Sequence, residues 1–158
     1  MKQRIFNTCI ILLLIGCSNP GNKNDITPDD VFPFEGKLLI NISRMDAPKD
    51  SDTLNALIHL QTEEEYGCYN YLIEYTIQFG KNDFLITLGR VVIPGVICLT
   101  AIGPANTRIP IGLQPGSYSM TIGKEPIWDV YELEISDESI SLIPVDTTFS
   151  VPADSLNF

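Results

Sequence analysis

Histidine is almost missing from this chain. His59 is the single one, and that scarcity removes much metal and acid–base chemistry. Structural zinc takes four Cys or His ligands, and catalytic zinc takes three protein ligands that usually include His. Any Ser-His-Asp site would have to use His59, which lies between Ile58 and Leu60 as a strand's outward polar residue, and no G-x-S-x-G elbow accompanies it. Met45 and Met120 are isolated, which argues against copper. Asp50-Ser51-Asp52 offers oxygen ligands but lacks the glycine and distal glutamate of a calcium loop. Phosphate loops and dinucleotide fingerprints are absent. The expectation is a protein with no cofactor, no metal and no catalytic site. Positive charge is scarce as well. Ten Lys and Arg face twenty Asp and Glu, a formal charge of −10. Phosphate recognition needs clustered Lys and Arg, so a nucleic-acid partner is excluded.

A long apolar run is also lacking. Crossing a bilayer takes about 20 apolar residues in a helix, and the run from Ile5 to Ile15 is about half that. It follows a start with two positive charges, Lys2 and Arg4, and ends in small residues, which is the build of a secretory signal. Leu14-Ile15-Gly16-Cys17 resembles the lipobox of bacterial lipoproteins. That resemblance implies cleavage between Gly16 and Cys17 by signal peptidase II and acylation at Cys17, the only residue type that supplies the thiol. Residues 1–16 are then the signal. Residues 17–33, rich in Asn, Asp, Pro and Gly, read as a lipidated cysteine and flexible tether. Two or more acyl chains anchor stably, at ~0.8 kcal/mol per buried methylene. The expected address is therefore the cell envelope, on the outer membrane, because Ser18 stands where an Asp would resemble the inner-membrane retention signal.

Cysteine is sparse once those losses are made. Cys9 leaves with the signal and Cys17 carries lipid, so Cys68 and Cys98 remain and suggest one disulfide in an oxidising compartment. It would close a loop of about 31 residues, worth ~3.5 kcal/mol on the chain-entropy account.

Helical periodicity is missing too, and period two takes its place almost everywhere. Leu38, Ile40 and Ile42 share a face, as do Leu54, Ala56, Ile58 and Leu60. In 69–79, Tyr69, Tyr71, Ile73, Tyr75, Ile77 and Phe79 alternate with polar residues. Gly80-Lys81-Asn82-Asp83 then turns the chain into Phe84, Ile86 and Leu88, with Phe79 opposite Phe84. On that register Cys68 opposes Gly95, and a bulge at Pro94-Gly95 would bring Cys98 to it. Strands are also expected at 109–113, 118–122, 131–135 and 139–143. One-sided strands of this kind bury their faces against a second sheet. The expected fold is all-β: a single antiparallel two-sheet β-sandwich over residues 34–158.

Leu-x-Pro-Gly-x-Tyr in LQPGSYSMTIG (113–123) resembles the corner of immunoglobulin-like, fibronectin-like and transthyretin-like sandwiches. The resemblance implies that the Tyr118 hydroxyl bonds back to the preceding turn, a structural role. ICLTAIGPA (97–105) is similar to a segment of small Bacteroidetes-type lipoproteins, a family that brings no activity with it.

The functional lead is then a surface. Trp128 falls on the face opposite Tyr131, Leu133 and Ile135, where it would stack on a sugar or anchor a protein. Leu57 and Ile143 point outward by the same count. The sequence thus reads as a lipid-anchored binding or accessory module with a protein or glycan partner. Two alternatives share that chemistry. A secreted protease inhibitor would present Ile93-Pro94-Gly95 or Gln114-Pro115-Gly116, and a carbohydrate-binding lipoprotein would need an exposed aromatic strip.

Overall fold

The computed structural model describes residues 35–45, 54–67, 70–93 and 101–154. Cys17, Gly16, Cys68 and Cys98 lie outside these residues, as do Asp50-Ser51-Asp52 and Pro94-Gly95. Nine strands occur in them: β1 (Leu38–Arg44), β2 (Leu54–Tyr66), β3 (Leu72–Phe79), β4 (Asp83–Val92), β5 (Gly103–Leu113), β6 (Gly116–Lys124), β7 (Ile127–Ile135), β8 (Ile140–Asp146) and β9 (Ser150–Pro152). There is no helix among the described residues.

Alternation decides which side of each strand is dry. Leu38, Ile40, Ala56, Ile58, Leu60, Phe84, Ile86, Met120, Ile122, Tyr131 and Leu133 are buried to within a percent of complete. The residues between them, such as Glu74, Arg108, Glu132 and Glu134, face solvent. Each fully buried large side chain contributes about 1.5–3 kcal/mol by leaving water. Polar residues outside and aliphatic ones inside reverse the pattern of a membrane-spanning barrel. No helix among the described residues is long and apolar enough to cross a membrane.

The pairing departs from the expected two antiparallel sheets. All strands belong to one sheet of order β8-β7-β6-β4-β3-β5-β2-β1-β9. Three of its neighbours are parallel: β1 with β9, β3 with β5, and β4 with β6. Alternation reports a strand's faces, not its neighbours, so the sequence assigned sides correctly and left partners open. The parallel β4–β6 pair arises because β6 does not fold back on β5 as a hairpin. The chain turns at Gln114–Pro115 and crosses to the far side of β4. The hairpins themselves follow expectation, with Phe79 opposite Phe84 and Leu133 opposite Leu142.

The sheet rolls up until its ends meet, giving a nearly barrel-shaped body. β8 lies against β1 and β9, and the Arg44 guanidinium donates to the Asp137 carbonyl across that gap. A bulge sits in the β3–β4 ladder between Ile73 and Tyr75, where β4 carries an extra residue around Gly89. Glycine is required there, because a Cβ at position 89 would stand 2.8 Å from Cβ of Glu74. Gly123 is required by a tighter approach. Its φ is +155°, and a Cβ would meet the Ile127 carbonyl oxygen at 2.3 Å.

Candidate functional site

The hydrogen-bonding parity of β3 is set at its turn, where Gly80 N–H donates to Asp83 O at 2.8 Å. In an antiparallel ladder, residues alternately exchange both backbone bonds with the partner and turn both away. Counting back from Gly80, Gln78 and Thr76 bond to β4, while Phe79, Ile77 and Tyr75 turn their N–H and C=O to the other side. On that side β5 meets β3 at a single bridge, Leu72 to Asn106, with Asn106 N–H donating to Tyr71 O at 3.2 Å. Beyond the bridge, no strand among the described residues pairs with this edge of β3.

The facing edge of β5 is built differently. Asn106 N–H points into the seam, so by the same alternation Arg108, Pro110 and Gly112 also direct their backbone there. Pro110 has no N–H to offer. Proline on an edge is one of the devices that blunt strand addition, and here it costs β2 no ladder bond. β5 is thus blunted at Pro110, whereas β3 beyond Leu72 has no second strand partner among the described residues.

Two hollows mark the seam. The larger, about 650 Å³, lies along the β3–β4 pair at its bulge, among Leu72, Tyr75, Leu88 and Val92, and reaches Thr107 of β5 at its side. The smaller, about 320 Å³, lies at the far end among Phe79, Leu113 and Tyr118. Both fall near the size of ordinary ligand sites, about 300–1,000 Å³. Exposed apolar side chains border both: Leu72, 38% exposed, lines the larger and Phe79, 57% exposed, the smaller. Glu74 and Arg90 form an ion pair at 3.2 Å on the outer wall. Being exposed, it adds little stability.

The Leu72 end of the seam is acidic. Tyr66 and Tyr71 pack at 4.9 Å, and the Tyr66 hydroxyl donates to Glu64 at 2.7 Å. Burial, then that bond and the Glu64 charge, push the Tyr66 phenol well above its ordinary pKa. Glu64 also accepts the Glu35 backbone N–H, and Glu63 accepts that of Lys37, where the chain enters β1.

The opposite closure of the sheet is polar and saturated. Asp129 on β7 is completely buried. It accepts from Thr148 N–H at 2.7 Å, Thr148 Oγ1 at 2.9 Å, Phe149 N–H at 3.1 Å, Ser150 N–H at 2.7 Å and Ser150 Oγ at 2.5 Å. The Tyr131 hydroxyl joins Ser150 Oγ at 2.7 Å. Burial and the nearby Asp129 raise the Tyr131 pKa, with the Ser150 bond opposing them. With five donors on two oxygens, this carboxylate is a structural latch and has no lone pair left for a ligand.

The residues singled out in the sequence scatter. The Tyr118 hydroxyl donates to Gln114 O at 3.0 Å, at the corner where the chain crosses from β5 to β6. Trp128 is half-buried on β7 and paired with Gly123, so it does not stand out on an open face. Ile143 and Val145 of β8 are exposed. His59 lies on the outer face of β2, with its Nε2 3.1 Å from Ser43 Oγ and with Arg108 opposite on β5. Burial first, and Arg108 second, lower its pKa. A serine–histidine pair needs a stabilised imidazolium in its transition state, and a neighbouring guanidinium works against it. Among the described residues no three His, Cys, Asp or Glu side chains gather as a metal-ligand set.

No family model, curated protein or solved structure matches this chain. Its reading therefore rests on the geometry.

Proposed function

We propose that this chain is a non-catalytic, lipid-anchored protein of the cell envelope whose β-domain is a binding or accessory module, with the β3–β5 seam as its contact surface. The observation that carries the proposal is the open edge of β3. Backbone groups at Tyr75, Ile77 and Phe79 face a seam with exposed Leu72 at one end and exposed Phe79 at the other. Apolar side chains gathered beside unpaired strand backbone favour a protein partner over a glycan, which would stack on an exposed aromatic strip. The half-buried Trp128 weakens the carbohydrate alternative. The Gln114–Tyr118 corner is the feature kept from the immunoglobulin-like resemblance.

The anchor reading rests on Leu14-Ile15-Gly16-Cys17 and on charge. Loss of Lys2 and Arg4 with the signal would leave eight Lys and Arg against twenty Asp and Glu. So acidic a domain does not hold itself on anionic head groups, and acyl chains at Cys17 supply the attachment. Metabolic labelling with a fatty-acid analogue tests it. The wild type should take label and Cys17→Ala should not; equal labelling would remove the anchor. For the contact surface, a photo-crosslinking residue at Leu72 or Phe79 should yield one dominant protein adduct in the native envelope. The same residue at exposed Val145 should not. Identical patterns from all three positions would refute the seam as the contact surface.

A further inference from the structure

We infer that the partner of this module binds as an extended polypeptide segment, lysine- or arginine-bearing at one end, that adds to the free edge of β3 as a further strand. The inference rests on the binding-module reading and specifies the partner's chemistry. Its first support is parity. Tyr75, Ile77 and Phe79 hold three N–H donors and three C=O acceptors aimed at one line, spaced every second residue. Only an extended backbone carries complementary groups at that repeat. Sugars and flat aromatic ligands do not.

The second support is the contrast with β5. Pro110 removes a donor from one wall of the seam, so an incoming strand registers on β3 and not on both walls. From Tyr75 to Phe79 the free edge runs roughly 13 Å, which accommodates a segment of about five residues. Alternate side chains of that segment would enter the 650 Å³ and 320 Å³ hollows, so apolar residues are expected at every second position.

The third support is charge. Glu64 accepts from the Tyr66 hydroxyl and from the Glu35 N–H, and Tyr66 packs on Tyr71, the residue before Leu72. The whole chain carries −10. A second copy of this chain would bring the same charge to the contact, whereas a basic partner is attracted and oriented. The basic end of the segment should therefore lie at Tyr71 and its other end at Phe79.

Blocked nine-residue peptides alternating valine and threonine, ending in two lysines or two glutamates, provide the probe. With the full chain, the lysine peptide should bind about tenfold more tightly than the glutamate peptide, and more weakly as salt rises. Binding should slow amide exchange at Tyr75, Ile77 and Phe79 and leave Thr76 and Gln78 unchanged, because the latter two already bond to β4. Ile77→Pro should abolish binding while Ile77→Ala, which loses the same side chain and keeps the donor, should retain it. Absence of binding by every peptide, equal binding to both variants, or slowed exchange without the odd-residue pattern would each overturn the strand addition. Cross-links from Leu72 or Phe79 in the envelope, obtained without peptide binding, would overturn it while leaving the module reading intact.

Discussion

At the β7–β9 junction one buried carboxylate gathers five donors, whereas at the β3–β5 junction one backbone bridge serves two whole strands. Both are places where a rolled sheet must join itself. The first is closed by satisfying every polar group around Asp129, and a buried charge tolerates nothing less. The second has one bridge, and beyond it no described strand pairs with the outward backbone groups of Tyr75, Ile77 and Phe79. The difference teaches where this molecule has a fixed structure and where it has capacity to accept something. A network with no spare acceptor holds the fold together. An edge with spare donors is available for binding.

Substitutions should separate the two junctions sharply. Asp129→Ala should be the most damaging, costing about 3–5 kcal/mol in urea unfolding, since five donors lose their acceptor inside the protein. A loss under 1 kcal/mol would mean that water replaces the carboxylate and the latch is not a latch. Tyr131→Phe removes only the bond to Ser150 Oγ and should cost about 1–1.5 kcal/mol by the same measurement.

A smaller effect is expected from pH. Burial and Arg108 hold the folded His59 below its ordinary pKa of 6.5, so the unfolded chain takes up the proton first as pH falls. The contribution is complete above about pH 6.5 and declines as pH drops toward the folded pKa. Unfolding midpoints between pH 7.5 and 5.5 should fall slightly more for wild type than for His59→Asn. A steeper fall in the variant would reverse the sign. At the seam, Leu72→Ser should change stability by less than about 0.5 kcal/mol, yet reduce cross-linking from Phe79. A large loss of stability would make Leu72 part of the core and blur the contrast.

Much of the fold was legible from alternation. The faces of 54–61 and 118–122 follow period two, and Ala56, Ile58, Leu60, Met120 and Ile122 are all fully buried. The hairpin register was legible because Gly80-Lys81-Asn82-Asp83 leaves Phe79 and Phe84 as the first pair, and they stand 5.8 Å apart. Partners across long connections were not legible, which is why the expected sandwich became a mixed sheet. β9 escaped notice because three residues carry too little pattern. Asp129 had a signal that could have been read. It sits at the same parity as Tyr131, Leu133 and Ile135, so an acid was placed on the dry face of a strand. The seam had a weaker one, Pro104 and Pro110 in an otherwise alternating stretch, since proline in a strand points to an edge.

Residue-resolved amide exchange on the free protein measures both junctions at once. The account predicts rapid exchange at Tyr75, Ile77 and Phe79, and slow exchange at Thr76 and Gln78 and at Thr148, Phe149 and Ser150 around Asp129. Protection of Tyr75, Ile77 and Phe79 equal to that of their even-numbered neighbours would contradict it, because the β3 edge would then already be paired.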